Sequence, residues 1–306
     1  MNESLSSKSI VYCLLSTVFI LNYPLSIILS TVYCLSPSTM PFPSCIKNGE
    51  LIPIAEAVLP VTHIEFAYGF GVYENIRVVR GEARFLDEHI ERLFKSATSI
   101  GLEHSLRKNE LEDWTKNLIN TLGADAINLK VLLIGGRTPA DATLFILPLS
   151  PLFPEKKLFT KGASAITVSY ERSFPQAKTL SMLGSYLAYR KARSQNAYDA
   201  LLVNREGCIT EGTRTNFLAL RGRTLISPPR HDILEGVTLR HVIAVAEEQG
   251  LSVMYDRIPL DTITMYDGLF LTSTSSKIMP LSSVDDHPIP LPDTLRELMR
   301  AFDLVS

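Results

Sequence analysis

The stretch Val72–Val79 is rich in β-branched residues and reads as a strand, followed by a turn at Arg80-Gly81-Glu82 and a second short strand at Ala83–Leu86. Asp87 and Glu88 come next, where a helix start favours acidic groups, and Ile90, Leu93, Phe94 and Ala97 recur at helical spacing. Upstream, Ile46–Ile54 predicts a hairpin turning at Asn48-Gly49. Downstream, a helix around Glu110–Leu122 leads to a buried strand at Asn128–Ile134. Pro148, Pro151 and Pro154 then interrupt the pattern and mark an interdomain linker.

Beyond the prolines the pattern predicts a strand at Ala165–Tyr170, a helix at Leu183–Asn196 and a strand at Ala200–Asn204. Asn204-Arg205-Glu206-Gly207 turns into Cys208–Glu211, and Phe217–Leu220 pairs with Thr224–Ser227 across Arg221-Gly222-Arg223. A helix starts at Gly236, and Gly268–Thr272 is a short apolar strand. These elements describe a mixed α/β (α+β) chain with one α/β domain over residues 40–150 and another over 155–306. Local pattern carries no strand order.

The first 39 residues differ. No charge occurs from Ile10 to Leu35, and the length suits a membrane-spanning helix or a signal sequence. Pro24, Asn22 and several serines weaken a span, and no clear small-x-small cleavage site follows. The third reading is a dispensable leader with Met40 as the working start. A membrane partner enters only if this segment is an anchor; otherwise a cytoplasmic protein is expected.

The 306 residues are enough for two cores, and 46% apolar with 20% charged residues is the profile of a globular enzyme. A formal net charge of −2 does not favour nucleic acid as a partner. Cys13, Cys34, Cys45 and Cys208 have no CxxC spacing, so neither a metal site nor a disulfide framework is suggested. Gly69-Phe70-Gly71 lacks the third glycine of a dinucleotide fingerprint and precedes a strand. No Walker loop, HExxH or GxSxG occurs.

Six segments remain, in this order: Tyr68-Gly69-Phe70-Gly71-Val72-Tyr73-Glu74; His89-Ile90-Glu91-Arg92-Leu93; Ala177-Lys178-Thr179-Leu180; Thr210-Glu211-Gly212-Thr213-Arg214-Thr215-Asn216; Ile233-Leu234-Glu235-Gly236-Val237-Thr238; and Phe270-Leu271-Thr272-Ser273-Thr274-Ser275. Together they resemble the class IV aminotransferases, the group of branched-chain aminotransferases, D-amino-acid aminotransferases and aminodeoxychorismate lyase. The resemblance runs from Met40 to Asp286. It implies the two-domain architecture of fold type IV enzymes, pyridoxal 5'-phosphate as cofactor, amino acids and 2-oxo acids as substrates, and a homodimer or higher homo-oligomer.

The resemblance assigns Lys178 to the Schiff base with the cofactor, a task that suits an amine lowered from its usual pKa of about 10.4 by desolvation. Glu211 is implied as partner of the pyridine nitrogen, with Asn216 supporting its loop. Arg92, Val237, Thr238 and Thr274 are implied as phosphate donors, and Leu234 as a further cofactor contact. Tyr73, Lys130 and Ser275 stand where the family meets its substrate. Without the family, Lys178 reads as a solvated surface lysine, Thr238 as a helix-start residue and Tyr73 as a half-buried strand aromatic.

Departures from the family bear on the substrate. Met182-Leu183-Gly184 replaces the Asn-Tyr pair that follows the lysine in branched-chain enzymes. Arg137-Thr138-Pro139 replaces the Arg-x-His carboxylate trap of D-amino-acid enzymes. Lys130 occupies the place of a carboxylate-binding arginine of branched-chain enzymes, and Ser273-Thr274-Ser275 keeps only the threonine of their glycine-threonine-alanine loop. The favoured expectation is transfer between an apolar or branched-chain L-amino acid and 2-oxoglutarate. Aminodeoxychorismate lyase and D-amino-acid transamination are the alternatives. A membrane-tethered binding protein without catalysis is the reading from a different class.

Overall fold

The structure, a computed structural model, describes residues 42–151 and 153–305. The apolar stretch Ile10–Leu35, and with it the choice between anchor, signal and leader, lies outside the described residues. Among the described residues no helix is long and apolar enough to cross a membrane.

Strands β1 (Ser44–Lys47) and β2 (Glu50–Pro53) form the hairpin expected at Asn48-Gly49, and both turn residues take positive φ. A one-turn helix α1 (Ile64–Ala67) precedes β3 (Gly71–Val79) and β4 (Glu82–Ala83). Helices α2 (Leu86–Ser99) and α3 (Lys108–Leu122) follow, then β5 (Ala126–Ile134) and β6 (Thr143–Leu149). The six strands make one antiparallel sheet in the order β2-β1-β6-β5-β3-β4. One face, with Val72, Ile76, Leu129, Val131 and Leu133, packs on Ile90, Leu93 and Ala97 of α2 and on Leu111 and Leu118 of α3. Each large aliphatic side chain buried there contributes about 1.5–3 kcal/mol.

Two expectations are corrected in this half. The strand at Ala83–Leu86 shrinks to Glu82–Ala83, because Phe85 enters the left-handed region at φ 53° and the helix opens at Leu86. Pro148 does not break the strand but lies inside β6 opposite Leu129. It stands beyond the registers Ile46↔Ile146 and Lys47↔Phe145 at which β1 pairs with β6, so its missing N–H interrupts no second ladder.

The second half contains α4 (Lys156–Lys161), β7 (Ala163–Ser169), α5 (Leu183–Ser194), β8 (Asp199–Val203), β9 (Ile209–Gly212), β10 (Asn216–Arg221) and β11 (Thr224–Ser227). It continues with α6 (Val237–Glu248), β12 (Ser252–Tyr255), β13 (Gly268–Ser273), β14 (Lys277–Val284), β15 (His287–Pro288) and α7 (Asp293–Val305). Strand order is β12-β11-β10-β13-β14-β7-β8-β9, with β15 on β14. A further pairing of Asn216 with Glu211 joins β10 to β9 and closes six of the strands into a ring. Parallel pairs (β7 with β8 and with β14, β11 with β12) make the sheet mixed. Ala188 and Ala192 of α5 cover Ile166, Ala200 and Leu202, while α6 and α7 cover Leu218, Leu220 and Phe270. The fold is mixed α/β and built on two sheets, as the resemblance to fold type IV enzymes implies.

The two sheets meet at the site. Tyr73 N–H donates to the Lys178 carbonyl at 2.9 Å, and Leu180 N–H donates to the Gly71 carbonyl at 2.8 Å. Thr179 bridges Val72 between them. Residues 178–180 therefore lie along β3 as a short extra strand. Gly71 is required for this approach, since a Cβ there would fall 2.7 Å from Leu180 Cδ1 and 2.8 Å from the Leu133 carbonyl oxygen.

Candidate active site

A cleft of about 650 Å³ opens at this junction, and Tyr73, Arg92, Lys178, Glu211, Leu234, Val237, Thr238 and Thr274 all line it. With Asn216, which also lines it, the fold thus brings together nine of the eleven residues given a role from the sequence. Lys130 and Ser275 do not line the cleft. The Lys130 amine stands 5.6 Å from the centroid of the Tyr73 ring, and Ser275 is exposed in the turn before β14.

Lys178 is half-buried and pinned by backbone, its own N–H donating to Ser96 Oγ at 3.1 Å. Its amine lies 4.8 Å from the Tyr73 ring centroid. Desolvation, helped by the positive charge of Arg92, lowers its pKa from 10.5 to about 8. Burial raises the Tyr73 phenol to about 12, so this ring is a neutral wall beside the amine.

Glu211 ends β9 where the strand ring closes. Its Oε1 accepts from Arg172 Nη1 at 2.7 Å, and its Oε2 accepts from Leu234 N–H at 3.3 Å. Burial pushes the Glu211 carboxyl upward while Arg172 opposes that shift. Arg172 is itself fixed by the carbonyls of Phe174, Pro175 and Ala177, the residues leading to Lys178. Asn216 Nδ2 donates to the Leu234 carbonyl at 2.6 Å and straps the entry to α6. Glycine at 236 leaves room for this, since a Cβ would fall 2.2 Å from Asn216 Oδ1.

At the other end of the cleft, Arg92 meets Glu74 through two charge-assisted bonds of 2.7 Å, from Nε and from Nη2. His89 shares the same carboxylate at 2.8 Å. Burial works to raise Glu74, but Arg92 and His89 together pull it down to about 2. Arg92 Nη1 reaches the Glu235 carbonyl at 3.4 Å, which places the guanidinium beside the start of α6. Gly236 caps that helix without a side-chain hydrogen bond, so its first-turn N–H groups face the cleft as anion donors. Thr272 lines the same cleft, and its buried Oγ1 has no partner among the described residues. An orphaned hydroxyl, free helix-start amides, an arginine and two further threonines fit a phosphate. A lowered lysine and a buried carboxylate fit the ring of pyridoxal 5'-phosphate.

Glu74, His89, Arg172, Asp199 and Arg214 were not singled out from the sequence. Glu74, His89 and Arg214 do stand inside the six segments, and that position was their only signal. Arg172 lies in none of them. Asp199 is buried and accepts the hydroxyls of Thr213 and Thr215, which hold the loop after Glu211.

The sequence profile of the amino-transferase class IV family matches residues 71–284. A D-alanine aminotransferase of Bacillus licheniformis is 31% identical over 254 residues, which are 79% of this chain and 88% of that protein. The branched-chain aminotransferase of Thermoproteus uzoniensis, solved with norvaline, superposes with a TM-score of 0.78 at 25% identity, covering 86% of this chain and 94% of that one. The T.th. branched-chain amino acid aminotransferase, complexed with N-(5'-phosphopyridoxyl)-L-glutamate, gives 0.78 at 27% identity, covering 87% and 95%. The profile match over most of the described chain and the fold shared with these enzymes lead to one conclusion: the chain belongs to the class IV aminotransferases, which work with pyridoxal 5'-phosphate.

Proposed function

We propose that this cleft transfers an amino group between an apolar L-amino acid of branched-chain type and 2-oxoglutarate, with Lys178 carrying the cofactor and moving the proton. The observation that carries the chemistry is one desolvated lysine set between a buried carboxylate and a group of phosphate donors. Pyridoxal 5'-phosphate, when bound, supplies an electron sink for the negative charge that develops at the substrate carbon. Glu211, backed by Arg172, holds a proton on the ring nitrogen. Arg92, the first-turn N–H groups of α6, Thr238 and Thr274 hold the phosphate. Lys178 Nζ takes the proton from the substrate carbon and returns it, and the Tyr73 ring beside it excludes water.

The apolar part of the wall, Met182, Leu234 and Val237, supports an aliphatic side chain. Arg137 is exposed and does not line the cleft, which argues against an arginine-histidine trap of the D-enzyme kind. The glutamate-derived ligand of the T.th. enzyme supports glutamate and 2-oxoglutarate as one half of the cycle. A second reading, D-amino-acid transamination, is favoured by the identity with the Bacillus licheniformis enzyme.

A half-reaction screen separates them. The holoenzyme is mixed with L-leucine, L-glutamate, D-alanine and aminodeoxychorismate, and the cofactor's absorbance is followed. Conversion with L-leucine and L-glutamate is expected. Conversion with D-alanine at an equal rate, or pyruvate release from aminodeoxychorismate alone, would overturn the substrate assignment.

A further inference from the structure

Four cationic side chains line the cleft: Arg92, Arg172, Lys178 and Arg214. Two are neutralised by buried carboxylates, Arg92 by Glu74 and Arg172 by Glu211. Lys178 is taken by the cofactor in the reading above. Arg214 has no acidic partner among the described residues. Its guanidinium carbon stands instead 4.0 Å from the ring centroid of Tyr189 on α5. Stacking engages the flat face of a guanidinium and leaves its N–H edge free to bind a planar anion.

The loop that presents the arginine is rigid. Thr213 and Thr215, its two neighbours, are both tied to the buried Asp199 carboxylate, Thr215 at 3.0 Å. A Cβ on Gly212 would fall 2.8 Å from Asp199 Oδ2, so the loop has no slack on that side. The loop is thereby fixed, while the Arg214 side chain, itself exposed, is held among the described residues only by its stacking on Tyr189. Its charge acts on the Tyr73 hydroxyl, whose ring packs against the Lys178 amine. The unpaired cation and the reacting amine line one cleft.

We propose that Arg214 is a specificity-determining residue that receives the substrate's α-carboxylate on its free N–H edge. The assignment rests on the transaminase reading above. Arg214 and Lys178 line the same cleft, and a carboxylate one bond from the carbon at which Lys178 works would lie in that cleft. The amino acid and the 2-oxo acid both carry it, so a single cation serves both halves of the cycle.

The test uses Arg214→Gln and Arg214→Lys holoenzymes with three probes: L-leucine, 3-methylbutylamine (leucine without its carboxylate) and 4-methylvaleric acid (leucine without its amine). Arg214→Gln is expected to raise the KM for L-leucine and the calorimetric Kd for 4-methylvalerate by about 10- to 100-fold, the loss of one charge-assisted contact. The preference for L-leucine over 3-methylbutylamine should fall by a similar factor, and Arg214→Lys should restore part of both. Equal losses on L-leucine and 3-methylbutylamine would make Arg214 a scaffold residue and overturn the proposal. A loss confined to L-glutamate would move the contact to a side-chain carboxylate and overturn it as well. Failure of the parent protein to convert any amino acid would sink the transaminase reading instead. The 4-methylvalerate titration would still report on Arg214.

Discussion

Arg172 Nη1 donates to Glu211 Oε1 at 2.7 Å, joining the segment that leads to Lys178 with the strand end beneath the same cleft. The cation opposes the upward push that burial exerts on the Glu211 carboxyl. Arg172→Met should therefore raise the Glu211 carboxyl further and lower kcat about 10- to 100-fold, in proportion to a lost buried charge pair. Raising the pH should re-ionise Glu211 and recover part of the rate. A flat pH profile in Arg172→Met would separate Arg172 from the titration of Glu211.

In the proposed function Lys178 and Glu211 act on different parts of the cofactor, so their variants should fail differently. Lys178→Ala should still dock pyridoxal phosphate through Arg92, Thr238 and Thr274 but hold none covalently, with transamination nearly abolished. Glu211→Gln should keep the covalent link and slow turnover by several powers of ten, each 1.36 kcal/mol of barrier being about tenfold. Borohydride reduction and peptide mapping read the difference. A label on Lys130 or Lys191 would show that the assignment is wrong.

The lowered Lys178 amine predicts the pH dependence of cofactor capture. Its folded pKa of about 8 lies below the usual 10.5, so the nucleophilic neutral amine becomes the main form above about pH 8. Covalent capture of pyridoxal phosphate by the apoprotein should rise with pH and level off above that value. Stopped-flow absorbance would measure this, and a midpoint near 10.5 would contradict a desolvated lysine. The same shift means that folding stability rises with pH between 8 and 10.5, because the unfolded chain holds the extra proton there.

Glu74 carries the opposite linkage. Its folded carboxyl, near 2, lies below the usual 4.5, so its contribution to stability is complete above pH 4.5 and is lost as the pH falls towards 2. Burial likewise holds His89 below 6.5, which adds acid sensitivity of the same sign at higher pH. Glu74→Gln should cost about 3–5 kcal/mol at neutral pH by leaving Arg92 without its buried partner. It should also flatten the acid limb below pH 4.5. Urea unfolding at a series of pH values checks both, and an unchanged acid limb would exclude Glu74 as its source.

Where local pattern and local chemistry coincide, the elements were legible in advance. The Asn48-Gly49 hairpin, the apolar stripe of α2 and the start of α6 at Gly236 each depend on residues a few positions apart. Pro148 misled because its effect depends on whether a neighbouring strand pairs at that register, which local sequence does not express. Local pattern did not reveal β6, β12, β14 or α7, although α7 alternates apolar and charged groups at helical spacing.

By itself, the sequence determined the family and the set of short segments that surround Lys178. Those segments keep fixed spacings because each serves one turn, one strand end or one helix start. Only the tertiary structure decided which charges neutralise which. Glu74 with Arg92, Arg172 with Glu211, and Asp199 with Thr213 and Thr215 are brought together by strand order and by the ring that closes between β9 and β10. Among the described residues, Arg214 lines the cleft without a carboxylate partner for the same reason. Side-chain pairing follows from which strands lie side by side, and the period of apolar residues along one strand carries no information about its neighbour.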